Sequence, residues 1–361
     1  MPADTRTLQE FFGSFDPLAA CDDRPMPTTR RVTLVRRPIG QATPDCFEVD
    51  DVELAPLEDG EVRVAVEFIS VDAGTRTMLR GEGFHQQVGL GETVRAGGVG
   101  RIVESKAEGW ETGQAVIGGL GAQTLATLPA DEVRRVDDTL GPLSLHLGIL
   151  GGSTGVTAWI GIREVAKPGP GDDFVVSAAA GAVGSIAGQI AKRDGARVIG
   201  IAGGPVKTAH LVENLGFDAA IDYKHDDVDA RLRELCPEGV DIFFDNVGGS
   251  ILDVVLDNLA MRARVVICGA VSQYDDMDDV TGPSMYLRLA ERQSRMEGFA
   301  YFHFPQSIRP ATEELAEWVA DGSIVLPETV LEGIDRYPEA LQFMFEGGNI
   351  GKLLVAASPS S

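Results

Sequence analysis

Directly after the apolar run DFVVSA the chain reads Ala179, Ala180, Gly181, Ala182, Val183, Gly184, an AxGxxG pattern at a strand-to-helix junction. Val183, Ile186, Ala187 and Ile190 follow at the spacing of one buried helix face. These residue types in this order suit a phosphate. Gly181 lets the backbone approach a pyrophosphate, Gly184 lets the helix pack closely on its strand, and the helix start offers unpaired N–H groups carrying partial positive charge. Such glycines alone also describe a tight turn. At the first of five strand-helix alternations, however, they point to a dinucleotide.

The next strand decides which dinucleotide. An acceptor for a ribose 2'-hydroxyl requires Asp or Glu about 20 residues beyond the glycines, where this chain has Ala202, Gly203 and Gly204, with Lys207 at the start of the next helix. A 2'-phosphate is repelled by a carboxylate and attracted by an ammonium, so NADP(H) is expected as the cofactor. Lys207 also reads as a solvated first-turn lysine, but the chain has only six lysines.

Metal chemistry finds little support. Cys21, Cys46, Cys236 and Cys268 lie far apart with no CxxC cluster, and His85 and His146 stand alone, so neither a zinc site nor a disulfide framework is expected. Without a Lewis acid, oxidation of an unactivated alcohol is poorly supported. Hydride addition to a polarised C=C bond or a quinone needs only hydrogen-bond donors for the developing oxygen charge.

The elements that must position these residues fall into two textures. From Arg31, short alternating runs (RVTLVRR, EVRVAVEFISV, GRIVES) describe a β-rich domain. After Pro168, the runs DFVVSA, ARVIGIA, AAIDY, VDIFFDNV and RVVICGA are continuously apolar, as strands covered on both faces are. Helices are expected at 185–193, 205–215, 228–235 and 251–259. After residue 322, IVLPETVLEG, YPEALQFMF and KLLVAA read as strand, helix and strand, a tail that rejoins the first domain. The fold class is therefore α/β: a Rossmann-type parallel-sheet domain (151–322) with a β-rich domain built from 30–150 and 323–361. Residues 1–29 form an extension in which Leu8, Phe11, Phe12 and Phe15 could dock as one helical turn.

A net charge of −24 argues against nucleic acid and anionic membranes as partners. With no signal peptide or apolar span in the sequence, a cytoplasmic location is expected.

Taken together, VSAAAGAVGSIAGQIAK, GIAGGPVK, GFDAAIDYK, FFDNVGG, ICGAVSQYD and GGNIGKLLV closely resemble the medium-chain dehydrogenase/reductase superfamily. Within it they resemble the zinc-free group of prostaglandin reductases, alkenal double-bond reductases and curcumin-type reductases. The resemblance implies a GroES-like catalytic domain around a central NADP-binding domain, and a homodimer. It places Gly181, Ala182, Val183 and Gly184 at the pyrophosphate and Lys207 and Tyr223 at the 2'-phosphate. Gly204, Cys268 and Gly269 would also face the cofactor. Asn246 and Asn349 would lie by its nicotinamide half, although each also reads as a turn or cap residue. Tyr274 matches a tyrosine proposed to donate a hydrogen bond to substrate oxygen, and reads equally as a packed loop residue. The implied reaction is reduction of the C=C bond of an α,β-unsaturated ketone or aldehyde. Quinone reduction and a non-catalytic NADPH-binding structural role stand as alternatives.

The chain also departs from that group. Gly74 replaces an aromatic residue, Trp159 stands where Tyr is usual, and an acidic loop, 275–279, follows Tyr274. Arg76 reads as a rim cation or, better, as half of a structural salt bridge.

Overall fold

Valine, isoleucine and phenylalanine crowd the runs after Pro168, and in the computed structural model, which describes residues 26–81 and 86–357, they line up as one parallel sheet. Its order is Ala219–Asp222, Arg197–Ala202, Asp173–Ser177, Val240–Asp245, Leu259–Ile267 and Arg295–Gly298. In chain order these strands run 3-2-1-4-5-6, the Rossmann arrangement, in which a crevice opens where the winding reverses, between the first and fourth strands. Both faces are covered. Phe174, Phe243 and Phe244 are fully buried, each stabilising the layer by roughly 1.5–3 kcal/mol.

The helices Ala182–Arg193, Pro205–Glu213, Val228–Leu235 and Gly249–Asp257 fall within three residues of the expected spans. Two elements go beyond the sequence reading. The sixth strand, RMEG, is exposed at all four positions and carries no apolar run. The helix Pro305–Ala320 contains Pro310, a residue that ordinarily signals a helix end.

The second sheet joins both chain ends. Lys352–Ala356 pairs antiparallel with Glu61–Ser70 and parallel with Glu328–Glu332. Gly98–Ser105, Ala115–Gly118 and Val133–Arg135 extend it on the other side. Its core mixes Val32 through Val133 with Ile334 through Ala357, whereas the parallel sheet's largest core runs from Ile149 to Ile324. The first strand begins at Thr28, two residues inside the expected extension. The expected docking turn at Leu8 to Phe15 lies outside the described residues. No helix among the described residues is long and apolar enough to cross a membrane.

Candidate active site

At the end of the first parallel strand the backbone turns sharply: Ala178 adopts φ 47°, and Gly181 caps the helix Ala182–Arg193. A Cβ on Gly184 would lie 2.5 Å from the carbonyl oxygen of Ala178, so glycine is required there for the helix to approach its strand. The turn faces the end of the fourth strand, where the Ser177 hydroxyl donates to Asp245 at 2.8 Å and accepts from the Asn246 amide at 2.8 Å. Asp245, fully buried, also accepts from the Val247 and Gly248 amides. Burial pushes its carboxyl above the usual range, and those donors only partly offset it. Ser177 and Asp245 thus weld the two strands that border the crevice, a role that the FFDNVGG motif alone does not disclose.

The second strand ends at Ala202, where Tyr223 lies against Gly203 so closely that a Cβ there would meet the ring at 2.8 Å. Lys207 rises from the first turn of the next helix and lines the same cavity. Burial lowers its pKa, and the other cause is a second cation, Lys224. Among the described residues the Lys207 ammonium has no ion-pair partner. Gly204, by contrast, does not line the cavity: its amide donates to Asp222 at 2.7 Å. Gly204 takes φ 94° as the N-cap of that helix, and its N–H is used by Asp222. Asp222 accepts from Gly204, Lys224 and His225, and the Gly204 bond is the main reason its carboxyl sits below the usual range. Sequence reasoning gave Asp222 no part in this turn.

The cavity has a volume of about 850 Å³ and is lined by every other predicted residue: Gly181 to Gly184, Lys207, Tyr223, Asn246, Cys268, Gly269, Tyr274 and Asn349. The tail reaches it through the Gly351 amide, which donates to Ala180 at 2.8 Å. The Asn246 side-chain amide donates to the Ser177 carbonyl and that of Asn349 to the Gly351 carbonyl. Both therefore hold turns, as their residue type allows, while their Oδ1 atoms remain as acceptors. Cys268 shares the wall, its thiol pushed up to about 12 by burial.

Next to Gly269, the Tyr274 hydroxyl accepts from the Ala270 amide at 3.2 Å. Burial raises its pKa, so the phenol keeps its proton at neutral pH. In the same cavity, Lys352, 2% exposed, donates to Asp72 at 2.6 Å. Burial pushes Asp72 up, but Lys352, Ser70 and Ser153 outweigh that and hold the carboxyl below the usual range. Both residues line the cavity, and neither was singled out by the sequence.

The departures divide. Gly74 lines the cavity, where its lack of a side chain leaves room. Trp159 does not; its indole donates to Glu314. Arg76 forms a salt bridge to Asp275 and is absent from the cavity wall. His146 is buried and contacts the Asp137 carbonyl at 2.9 Å, while His85 lies outside the described residues.

The chain is similar to known proteins over most of its length. Residues 30–136 match the N-terminal domain of oxidoreductase and residues 182–318 match the zinc-binding dehydrogenase model. A putative NADP-dependent oxidoreductase of Bacillus subtilis, YfmJ, is 38% identical over 92% of this chain and 98% of its own length. The chain belongs to the zinc-free reductase group of the medium-chain dehydrogenase/reductase superfamily. The NADPH-dependent curcumin reductase of Escherichia coli is 32% identical over 90% of this reductase and 96% of its own length. CurA from Vibrio vulnificus, solved in complex with NADPH, superposes with a TM-score of 0.86 at 32% identity, covering 92% of this chain and 100% of that one. Although one matching model is described as zinc-binding, no group of three His, Cys, Asp or Glu side chains among the described residues gathers to hold a metal.

Proposed function

We propose that this reductase binds NADPH in the cavity and reduces the C=C bond of α,β-unsaturated ketones or aldehydes without zinc. One observation carries the reading: a single cavity joins a glycine-lined helix start, a half-buried Lys207 with no ion-pair partner among the described residues, and a Tyr274 hydroxyl that accepts from the Ala270 amide. The residues fit the cofactor. Close backbone approach at Gly181 and Gly184 suits the pyrophosphate, Lys207 and Tyr223 suit the 2'-phosphate, and the free Oδ1 atoms of Asn246 and Asn349 suit a carboxamide N–H. NADPH, when bound, supplies the hydride that adds to the substrate β-carbon. Tyr274 orients the carbonyl and donates to the oxygen as negative charge develops on it, so that the α-carbon is the atom left to take up a proton. The relatives are named as NADP-dependent oxidoreductase and curcumin reductase, which supports the same cofactor and reaction class here.

We take residues 30–150 with 323–361 as the catalytic domain, 151–322 as the cofactor domain and 1–29 as an extension. The four exposed residues of the edge strand Arg295–Gly298 support a homodimer, and the acidic charge supports a soluble, cytoplasmic enzyme.

Turnover of enones, enals and quinones with NADPH, run for wild type and Tyr274→Phe, tests the reading. An enone or enal should be reduced, with kcat about 100-fold lower in the variant and NADPH affinity unchanged. Quinone reduction in the absence of enone turnover, or tight NADPH binding with no turnover of any kind, counts against it.

A further inference from the structure

Tyr274 hangs from a short turn, Val271–Gln273, and its hydroxyl reaches back to the Ala270 amide. The residue after it is held from the other lobe. Arg76, on the short helix Thr75–Met78, donates Nε to the Asp275 carboxylate at 3.1 Å and Nη2 to the Asp275 main-chain carbonyl at 2.9 Å. The same guanidinium donates to the Gly40 carbonyl, and Arg80, one helical turn on, pairs with Asp278. Arg76 is 2% exposed and does not line the cavity, so it has no access to a substrate. Its neighbours Ala73, Gly74 and Thr75 do line it.

We infer that Arg76 is a positioning residue: by gripping both the carboxylate and the carbonyl of Asp275, it fixes the adjoining Tyr274 hydroxyl in the cavity wall and ties that wall to the Gly74 side. The planar fork makes this a two-point hold on one residue, which a lysine, with its single point charge on a flexible stem, does not reproduce. The acidic loop after Tyr274 thereby acquires a purpose. Its first and third carboxylates, Asp275 and Asp278, meet the two arginines of the opposite lobe, so orienting the tyrosine and joining the lobes are one event. The inference rests on the reading of Tyr274 as the donor to substrate oxygen.

The test is a double-mutant cycle on the full-length enzyme, with kcat, KM and NADPH affinity measured for Arg76→Lys, Asp275→Asn and Tyr274→Phe, singly and with each of the first two combined with the third. Arg76→Lys should lower kcat about tenfold, the equivalent of roughly 1.4 kcal/mol, with NADPH affinity unchanged. Asp275→Asn should lower it several-fold. In the Tyr274→Phe background neither should lower kcat further. Equal fold-losses in the Tyr and Phe backgrounds would mean that Arg76 serves only the fold, which overturns the inference while leaving the reading of Tyr274 intact. If Tyr274→Phe alone leaves kcat unchanged, the reading of Tyr274 fails first and the inference goes with it. Should Arg76→Lys not fold, the more exposed partner variant, Asp275→Asn, carries the cycle alone.

Discussion

Lys207→Ala asks whether one ammonium selects the phosphorylated cofactor. The side chain is half buried, lines the cavity and has no ion-pair partner among the described residues. The charge that perturbs it is another cation, Lys224, rather than any of the carboxylates behind the net charge of −24. Asp222, the acid beside this turn, is engaged by the Gly204 and Lys224 amides and by His225. Acids farther off are screened within about 8 Å at physiological salt. A charge-assisted bond contributes about 1.5–3 kcal/mol, so its loss should weaken NADPH by roughly 10- to 150-fold and leave NADH alone. Isothermal titration with both nucleotides reads this directly. The pH dependence has a definite sign: burial sets the ammonium's pKa below that of an ordinary lysine, and a bound phosphate favours the protonated form. NADPH affinity should therefore be full at neutral pH and fall as pH climbs through that lowered value, with NADH showing no such limb. Equal affinities of the wild type for the two nucleotides, or an unchanged NADPH affinity in Lys207→Ala, would refute the reasoning.

Gly184→Ala should destabilise the fold by about 1–3 kcal/mol, because its Cβ would stand 2.5 Å from the backbone oxygen of Ala178; a thermal melt matching wild type would contradict this. Lys352→Met should cost roughly 3 kcal/mol, the low end for breaking a buried pair, since Asp72 stays 33% accessible; a denaturant titration measures it. The folded pKa of Asp72 is depressed, so the pair's contribution is present above about pH 3.9 and lost as pH falls through the lowered folded value. The acid limb of wild-type stability below about pH 4 should accordingly flatten in Lys352→Met, and an unaltered limb would count against the pairing.

The parallel sheet was legible because its strands are covered on both faces and so are written in continuous apolar residues, from DFVVSA to RVVICGA. The edge strand Arg295–Gly298 escaped for the same reason in reverse. It has a partner on one side only, and its four exposed residues follow no hydrophobic pattern. Pro310 hid the helix Pro305–Ala320, where tertiary packing of Ala311, Leu315 and Trp318 overrides a local breaker. The tail was readable because its strand-helix-strand texture matched the first domain rather than the second.

The candidate site divides along a similar line, between residues that act through local backbone shape and residues that act through a distant partner. Gly181, Gly184 and Lys207 advertise themselves by their place at a strand-helix junction, whereas which way the Gly204 amide turns, toward Asp222, does not show in the sequence. Asp245, Asp72, Lys352 and Arg76 carry no such local mark. Ser177 lies 68 residues from Asp245, Asp72 lies 280 from Lys352, and Arg76 lies 199 from Asp275. A buried charge is stable only where its partner arrives, so these residues make chemical sense only once the chain end has returned to the first sheet and the two lobes have met. In the proposed assignment the wall given to the phosphates is written into consecutive residues, whereas Asp72 and Lys352, which line the same cavity, meet only through a pairing that the fold creates.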